Sequence, residues 1–165
     1  MIEDNIENAA YWIERLKLLH HPEGGFYKEV FRSSLEVQRP SGLLKQACTS
    51  IYYLLEGTDY SGFHRLASDE IWYFHKGSPL LLHIIDHDGV YTTQELSDTG
   101  SGSLSVVIRA GLWFAAEIPS AKGFTLSSCA VAPGFDFSEF EMAKKEEMTS
   151  LYPMHIEVLD RLCRM

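Results

Sequence analysis

Short hydrophobic segments alternate with polar turn segments through the middle of the chain. The hydrophobic segments are rich in aromatic and β-branched side chains, which favour strands, and Gly, Pro, Asp and Ser separate them. This pattern predicts nine strands, at residues 26–32, 47–55, 62–66, 70–75, 80–86, 90–96, 105–108, 112–117 and 124–131. Because no helical segment lies between these strands, the pattern indicates an antiparallel sandwich or barrel.

Helical patterns flank the predicted strands. From Asp4, hydrophobic residues recur every three or four positions, which predicts an amphipathic helix that ends near residues 20–22. Residues 138–147 and 154–162 predict two further helices. Residues 33–45 are largely polar, and we interpret them as a long surface loop that could act as a lid.

Length, composition and charge limit the classes of protein to consider. The chain has 165 residues, 45% of them hydrophobic and 12% aromatic, which is typical of a globular domain and too apolar for disorder. The formal net charge of −9 argues against a nucleic-acid partner, since phosphate binding needs clustered Lys and Arg. The same charge argues against binding to an anionic membrane surface.

The cysteines and the amino-terminal sequence indicate a cellular compartment. Cys48, Cys129 and Cys163 lie far apart in the sequence, and an odd number of cysteines favours a reducing environment. The first residues are acidic and do not resemble a secretory signal, and no apolar segment is long enough to span a bilayer. We therefore expect a cytoplasmic protein without a membrane partner.

A set of short sequence blocks, in a fixed order, extends over most of the chain. The blocks lie at residues 21–27 with Glu29 and Arg32, then 49–55, 63–65, 68–72, 110–114, and 131–137 with residues 140–141. Over residues 16–143 they resemble the cupin type 5 family, also called domain of unknown function 985. The resemblance implies a double-stranded β-helix, the cupin jelly roll, commonly a homodimer with a pocket in the barrel mouth. We expect one domain over residues 1–165, with the barrel core at about 24–135.

The resemblance also identifies the positions that hold a metal ion in other cupins. In the wider superfamily, one motif supplies two histidines and a glutamate, and a second motif supplies a third histidine. Here the first motif gives His64, Leu66 and Glu70, and Phe114 stands in the histidine position of the second. His64 and Glu70 alone would hold a divalent ion only weakly, because a tight site needs about three or four protein ligands. We expect a metal-free pocket and no cofactor.

The same alignment makes His64 and Glu70 the candidate catalytic residues. A lone histidine is more often a core residue bonded to a carbonyl, but beside Glu70 we interpret His64 as a proton acceptor whose tautomer the carboxylate fixes. Strand alternation places Trp72 and Phe74 on the face of Glu70, where they would line a pocket or pack as core. The other candidate ligand-binding residues are Tyr27, Arg65, Trp113 and Phe114, with Arg65 available for an anion or a surface ion pair.

These residues support a binding pocket more firmly than a reaction, and the sequence does not decide whether the protein is an enzyme. The leading interpretation is a dimeric cupin that binds a small molecule, either anionic or sugar-like. One alternative is a metal-independent enzyme similar to nucleotide-sugar 3,5-epimerases, with His64 as the base and Tyr27, Tyr52 or Tyr53 as the acid. A metal-dependent isomerase or dioxygenase conflicts with the missing histidines. A non-catalytic module with a packed barrel is the last alternative.

Overall fold

Two antiparallel sheets form the body of the structure, a computed structural model that describes residues 7–164. The strands are β1 (Leu19–His20), β2 (Phe26–Arg32), β3 (Glu36–Gln38), β4 (Leu44–Gln46), β5 (Thr49–Glu56), β6 (Tyr60–Leu66), β7 (Asp69–Gly77), β8 (Leu80–Ile85), β9 (Tyr91–Leu96), β10 (Ser105–Ile108), β11 (Trp113–Glu117), β12 (Phe124–Ala132) and β13 (Phe140–Met142). The helices are α1 (Ala9–Leu16), α2 (Lys145–Leu151) and α3 (Ile156–Leu162), with short 3₁₀ helices at Phe137–Glu139 and Pro153–His155.

The strand order is that of a jelly roll. One sheet has the order β1-β2-β5-β12-β7-β10, and the other has the order β13-β6-β11-β8-β9. Side chains from the inner faces of both sheets, among them Tyr53, Trp72, Leu82 and Phe114, form one buried core. Consecutive strands β6 and β7 therefore belong to opposite sheets, and their inward side chains face each other across the interior.

Helices cover the outer face of each sheet. Trp113 and Phe63, which alternate with the inward residues of β11 and β6, pack with Met148 and Leu159 of α2 and α3. On the other sheet, Ala9 of α1 joins a cluster with side chains of β5 and β12. No helix within residues 7–164 has the length and apolar character needed to cross a membrane.

The strand pattern predicted the fold class correctly, and every one of the nine predicted strands is present with its ends within two residues. The segment 33–45 is not only a loop, because it contains β3 and the start of β4, which pair as a hairpin. The predicted helix over 138–147 is wrong at its start, since β13 pairs with β6 there and α2 begins at Lys145. Pairing with a neighbouring strand overrides the weak local helical preference.

The first helix is shorter than predicted. It begins at Ala9, because the side chain of Asn8 accepts a hydrogen bond from the Tyr11 N–H and caps the helix. Asp4, where the prediction placed its start, lies outside the described residues.

Candidate functional site

An interior cavity lies between the two sheets, and both predicted catalytic residues line it. His64 projects from β6 and Glu70 from β7, and they are 1% and 6% exposed. The sequence predicted Glu70 beside His64, but their strands belong to opposite sheets, and the two residues line the cavity from different sheets. The carboxylate that contacts His64 is instead Glu23.

Glu23 lies in the turn between β1 and β2 and projects into the cavity. Its side chain is buried, its Oε1 accepts a hydrogen bond from Ser61 Oγ at 3.0 Å, and its Oε2 lies 3.2 Å from His64 Nε2. A buried carboxylate requires such partners, because burial without them is costly. Sequence reasoning missed Glu23, since Pro22 and the two following glycines indicated only a turn.

The distance between His64 Nε2 and Glu23 Oε2 is that of a hydrogen bond. His64 Nδ1 lies 2.7 Å from the Gly62 carbonyl oxygen, which only accepts, so Nδ1 carries a hydrogen. The contact between Nε2 and Glu23 Oε2 then requires a further proton on one of these two atoms. The two side chains therefore line the cavity as a hydrogen-bonded pair.

His21 is a second imidazole in the cavity lining. Burial lowers the pKa of His21, and the neighbouring His64 lowers it further, while Glu23 opposes the change. The Glu23 N–H donates to His21 Nδ1 at 3.2 Å, so the hydrogen of the neutral ring is on Nε2. The 3.5 Å approach of Nδ1 to Glu23 Oε2 is consequently not an ion pair.

Glu70 is the acid of the cavity. Burial raises the pKa of Glu70 to about 8, and the charge of Glu23 contributes, while Trp72 and Cys129 oppose the shift. Glu70 is therefore mostly protonated at neutral pH. Its Oε2 and Trp72 Nε1 are both buried, and although Trp72 is near enough to oppose the shift, neither atom has a hydrogen bond of good geometry among the described residues.

Three of the predicted ligand-binding aromatic residues pack in the core around the cavity. Trp72 and Phe114 are buried between the sheets, and Phe74 packs against the same core. The ring centroid of Phe114 lies 4.1 Å from that of His64, so Phe114 supports the imidazole. Tyr27 contacts His21 edge-on, with ring centroids 4.5 Å apart.

The structure places Arg65 and Trp113 outside the barrel. Arg65 lies over the Trp113 ring at 4.4 Å and donates to Glu141 Oε2 at 2.7 Å. Strand alternation accounts for both positions, because each residue follows or precedes an inward one, His64 or Phe114. Neither residue can contact a ligand in the interior cavity.

Aromatic side chains close the cavity on one side. The rings of Phe135, Phe137 and Phe140 contact one another with centroids 4.9–5.9 Å apart, and His21 lies 6.1 Å from Phe140. We call residues 135–140 the cap. Arg39 and Lys45, from the segment that contains β3 and β4, bind Glu139 of the cap at 2.9 and 3.2 Å.

The interior cavity is small, and a larger cavity lies next to it. Its volume is about 30 Å³, whereas an outer cavity of about 420 Å³ lies on the other side of Leu66 and Phe140, which line both. A water molecule needs at least roughly 10–15 Å³ of such volume, so the closed interior holds little more than water.

The donor set does not fit a cupin metal centre. Within residues 7–164, no three His, Cys, Asp or Glu side chains are arranged to hold a metal ion. Leu66 is buried in one of the lost ligand positions, and the Phe114 ring packs on His64 in the other. A metal-free pocket stays a prediction, which elemental analysis of the purified protein would test.

Comparisons with known proteins identify relatives along nearly the whole chain. Residues 10–143 match the family model described as "Cupin superfamily (DUF985)". An uncharacterized protein of Saccharomyces cerevisiae is 30% identical over 147 residues, which are 79% of this chain and 73% of that protein. Neither description states an activity.

Solved structures show the same fold. A hypothetical protein from Leishmania major superimposes with a TM-score of 0.90 at 35% identity, covering 96% of this chain and 99% of that one. A protein from Shewanella oneidensis gives a TM-score of 0.89 at 37% identity with the same coverage of 96% and 99%. Oxalate decarboxylase from Bacillus subtilis is 15% identical, with a TM-score of 0.54 over 87% of this chain and 36% of that one, and shows the fold alone.

Proposed function

Because the chain belongs to the cupin superfamily, in the family called domain of unknown function 985, we propose that the interior of its barrel binds a small polar molecule. The unpartnered Glu70 Oε2 carries this proposal. Nearly all buried polar atoms in proteins have a hydrogen-bond partner, and an exception needs an explanation. A ligand hydroxyl or carbonyl in the cavity would provide the missing partner.

The charges of the lining favour a neutral ligand over an anionic one. Among residues 7–164, the lining contains Glu23 and Glu70 but no Lys or Arg, and burial lowers the pKa of His21, which favours its neutral form. Arg65, the cation expected to hold an anion, lies outside the barrel. A desolvated anion would find no cationic side chain to pair with in this lining, and burial of an unpaired charge is costly, so we propose a hydroxylated, sugar-like compound.

Binding requires the cap to move, since the closed cavity has a volume of only about 30 Å³. Phe140 separates this space from the outer cavity of about 420 Å³. We propose that the ligand enters from the outer cavity, past Phe140, and places a polar group between Glu23 and Glu70.

A thermal-shift screen of neutral sugars and polyols against carboxylates and phosphates tests this function. Neutral compounds should raise the melting temperature, because a ligand that binds only the folded state stabilises it, and charged compounds should not. Phe140→Ala joins the two cavities and should bind larger neutral compounds than the wild type. Selective stabilisation by anions, or no stabilisation of either protein, would contradict the proposal.

The protonation states of the acidic side chains in the cavity favour a second candidate function, a metal-independent epimerase or isomerase. The cavity holds a protonated carboxylic acid, Glu70, and the Glu23 carboxylate, which keeps free lone pairs as a proton acceptor while His64 and Ser61 hold it in place. Groups whose environments separate their proton affinities can serve as acid and base in one reaction. Tyr53 is excluded as the acid, since its OH donates to the Gly24 carbonyl and burial raises its pKa far above the ordinary value.

Solvent exchange tests the second candidate. An epimerase or isomerase that removes a proton from carbon should incorporate deuterium from D₂O into its ligand, detected as loss of a C–H signal in proton NMR. The exchange should disappear in Glu70→Gln and His64→Gln. A compound that binds in the barrel without any exchange would leave binding as the only function.

We also propose that the protein forms a two-fold dimer. The region from β2 to β4 exposes a group of large hydrophobic side chains, namely Val30, Phe31, Leu35, Val37, Leu43 and Leu44. Such a group marks a contact surface more often than a solvated one. Light scattering at micromolar concentration should give twice the chain mass, and a monomer would contradict the proposal.

We propose a cytoplasmic location. Cys48, Cys129 and Cys163 are all free thiols, which suits a reducing compartment. A green fluorescent protein fusion should give diffuse cytoplasmic signal, and a secreted or membrane-localised fusion would contradict this.

A further inference from the structure

Arg164, which follows α3, contacts the turn that carries Glu23. Its Nε donates to the Glu23 carbonyl oxygen at 2.5 Å. Its Nη2 donates to the Tyr60 carbonyl oxygen at 2.5 Å and to Asp59 Oδ1 at 2.7 Å. The guanidinium group therefore joins this turn to the start of β6.

Asp59 also joins the turn that carries Glu23 to the start of β6. Its Oδ2 accepts a hydrogen bond from the Gly25 N–H at 2.8 Å, and its Oδ1 accepts one from the Tyr60 N–H at 2.9 Å. Burial would raise the pKa of Asp59, but these hydrogen bonds and Arg164 together lower it. Asp59 is thus an ionised partner of Arg164, and the turn is held at both Glu23 and Gly25.

Two glycines provide the space for the Arg164 side chain. A Cβ at Gly24, whose φ is +115°, would lie 1.9 Å from Arg164 Nη2 and 2.0 Å from the Tyr60 carbonyl oxygen. A Cβ at Gly62 would lie 2.8 Å from Arg164 Cγ. The guanidinium also lies over the Tyr60 ring, 4.3 Å from its centroid. The Arg164 side chain therefore occupies a space that depends on the missing Cβ atoms of Gly24 and Gly62.

The elements that Arg164 joins are those that bring Glu23 to His64. The Glu23 carbonyl accepts a second hydrogen bond from the Gly62 N–H at 2.8 Å, and the Glu23 carboxylate reaches Ser61 and His64 on the same strand. A small displacement of the turn would lengthen the 3.2 Å contact between Glu23 Oε2 and His64 Nε2. We infer that Arg164 is a positioning residue that keeps the Glu23 carboxylate against His64, an inference that rests on the proposed role of this pair in the barrel site.

Chemical rescue of Arg164→Ala tests this inference without a ligand. The variant leaves a space that a free guanidinium ion can fill, and the His64 ring signals in ¹H–¹⁵N NMR report the contact with Glu23. We expect these signals to shift in Arg164→Ala and to return toward the wild-type position with millimolar guanidinium, at a concentration far below that which unfolds the protein. Sodium at the same ionic strength should not restore them.

Arg161→Ala is the matched control. Arg161 lies three residues earlier, pairs with Glu117, and does not contact the turn, so the His64 signals should stay unchanged. If Arg164→Ala fails to fold, Arg164→Lys is the alternative, because lysine keeps the positive charge but cannot make the several hydrogen bonds of the planar guanidinium group. The His64 ring signals should shift in this variant as well. Unchanged His64 signals in a folded Arg164 variant would overturn the inference. Failure of every compound in the thermal-shift screen would instead refute the proposed function and leave this result standing.

Discussion

Glu70→Gln should make the protein more stable than the wild type at alkaline pH, while the two proteins should differ little near pH 4. The pKa of Glu70 is raised from the ordinary 4.5 to about 8 by burial. Between these values the unfolded chain has lost the proton and the folded chain keeps it. The folded state then binds more protons, so its stability falls as the pH rises.

The expected size of this effect is large. The two pKa values correspond to a loss of about 5 kcal/mol once the pH exceeds the folded value. Glutamine is neutral at every pH and has nearly the same shape, so the variant avoids the cost of ionising a buried carboxyl. Above pH 8 the advantage of the variant should therefore reach several kcal/mol.

Denaturant unfolding of both proteins from pH 4 to pH 9 measures this difference. Subtracting the two curves cancels other groups, including His21, whose lowered pKa removes stability as the pH falls. Glu141→Gln is the control, because Glu141 is exposed and pairs with Arg65 at the surface. Parallel curves for wild type and Glu70→Gln would show that Glu70 is ionised in the folded protein at neutral pH.

The strands could be predicted because their signal is local. Aromatic and β-branched segments between Gly- and Asp-rich turns identify strands such as β2 and β10 with their correct ends. The β13 strand could not be predicted, because its three residues form a strand only through pairing with β6. The β3–β4 hairpin is similarly short, and each of its strands has only three residues.

The candidate site was predictable in part. Family motifs and strand alternation identified His64 and Glu70, and both line the cavity. Glu23 was missed because the approach of a turn to β6 depends on contacts distant in sequence, such as that between Arg164 and Glu23. Arg65 could have been excluded from sequence alone, since it neighbours His64 on one strand and must point to the other face.

The segment interpreted as a possible lid has a specific contact in the structure. Lys45 is buried and, together with Arg39, binds Glu139 of the cap. The aromatic rings of the cap form the surface that closes the cavity. The segment 33–45 contacts the cap from outside and is not itself that surface. Arg39 and Lys45 therefore join this segment to the cap through Glu139.

We propose that the barrel interior is a binding site and not only a packed core. His64→Gln separates these possibilities, because the glutamine amide lies near the position of Nε2 and can still donate to the Glu23 carboxylate, but it lacks the imidazole ring. The measurement is the melting temperature of the variant together with its affinity for the neutral compound that most stabilises the wild type. We expect a nearly unchanged melting temperature and loss of binding. A stability loss of roughly 1–3 kcal/mol, as for an unsatisfied buried group, with unchanged affinity would show that His64 is a packed core residue and not part of a binding site.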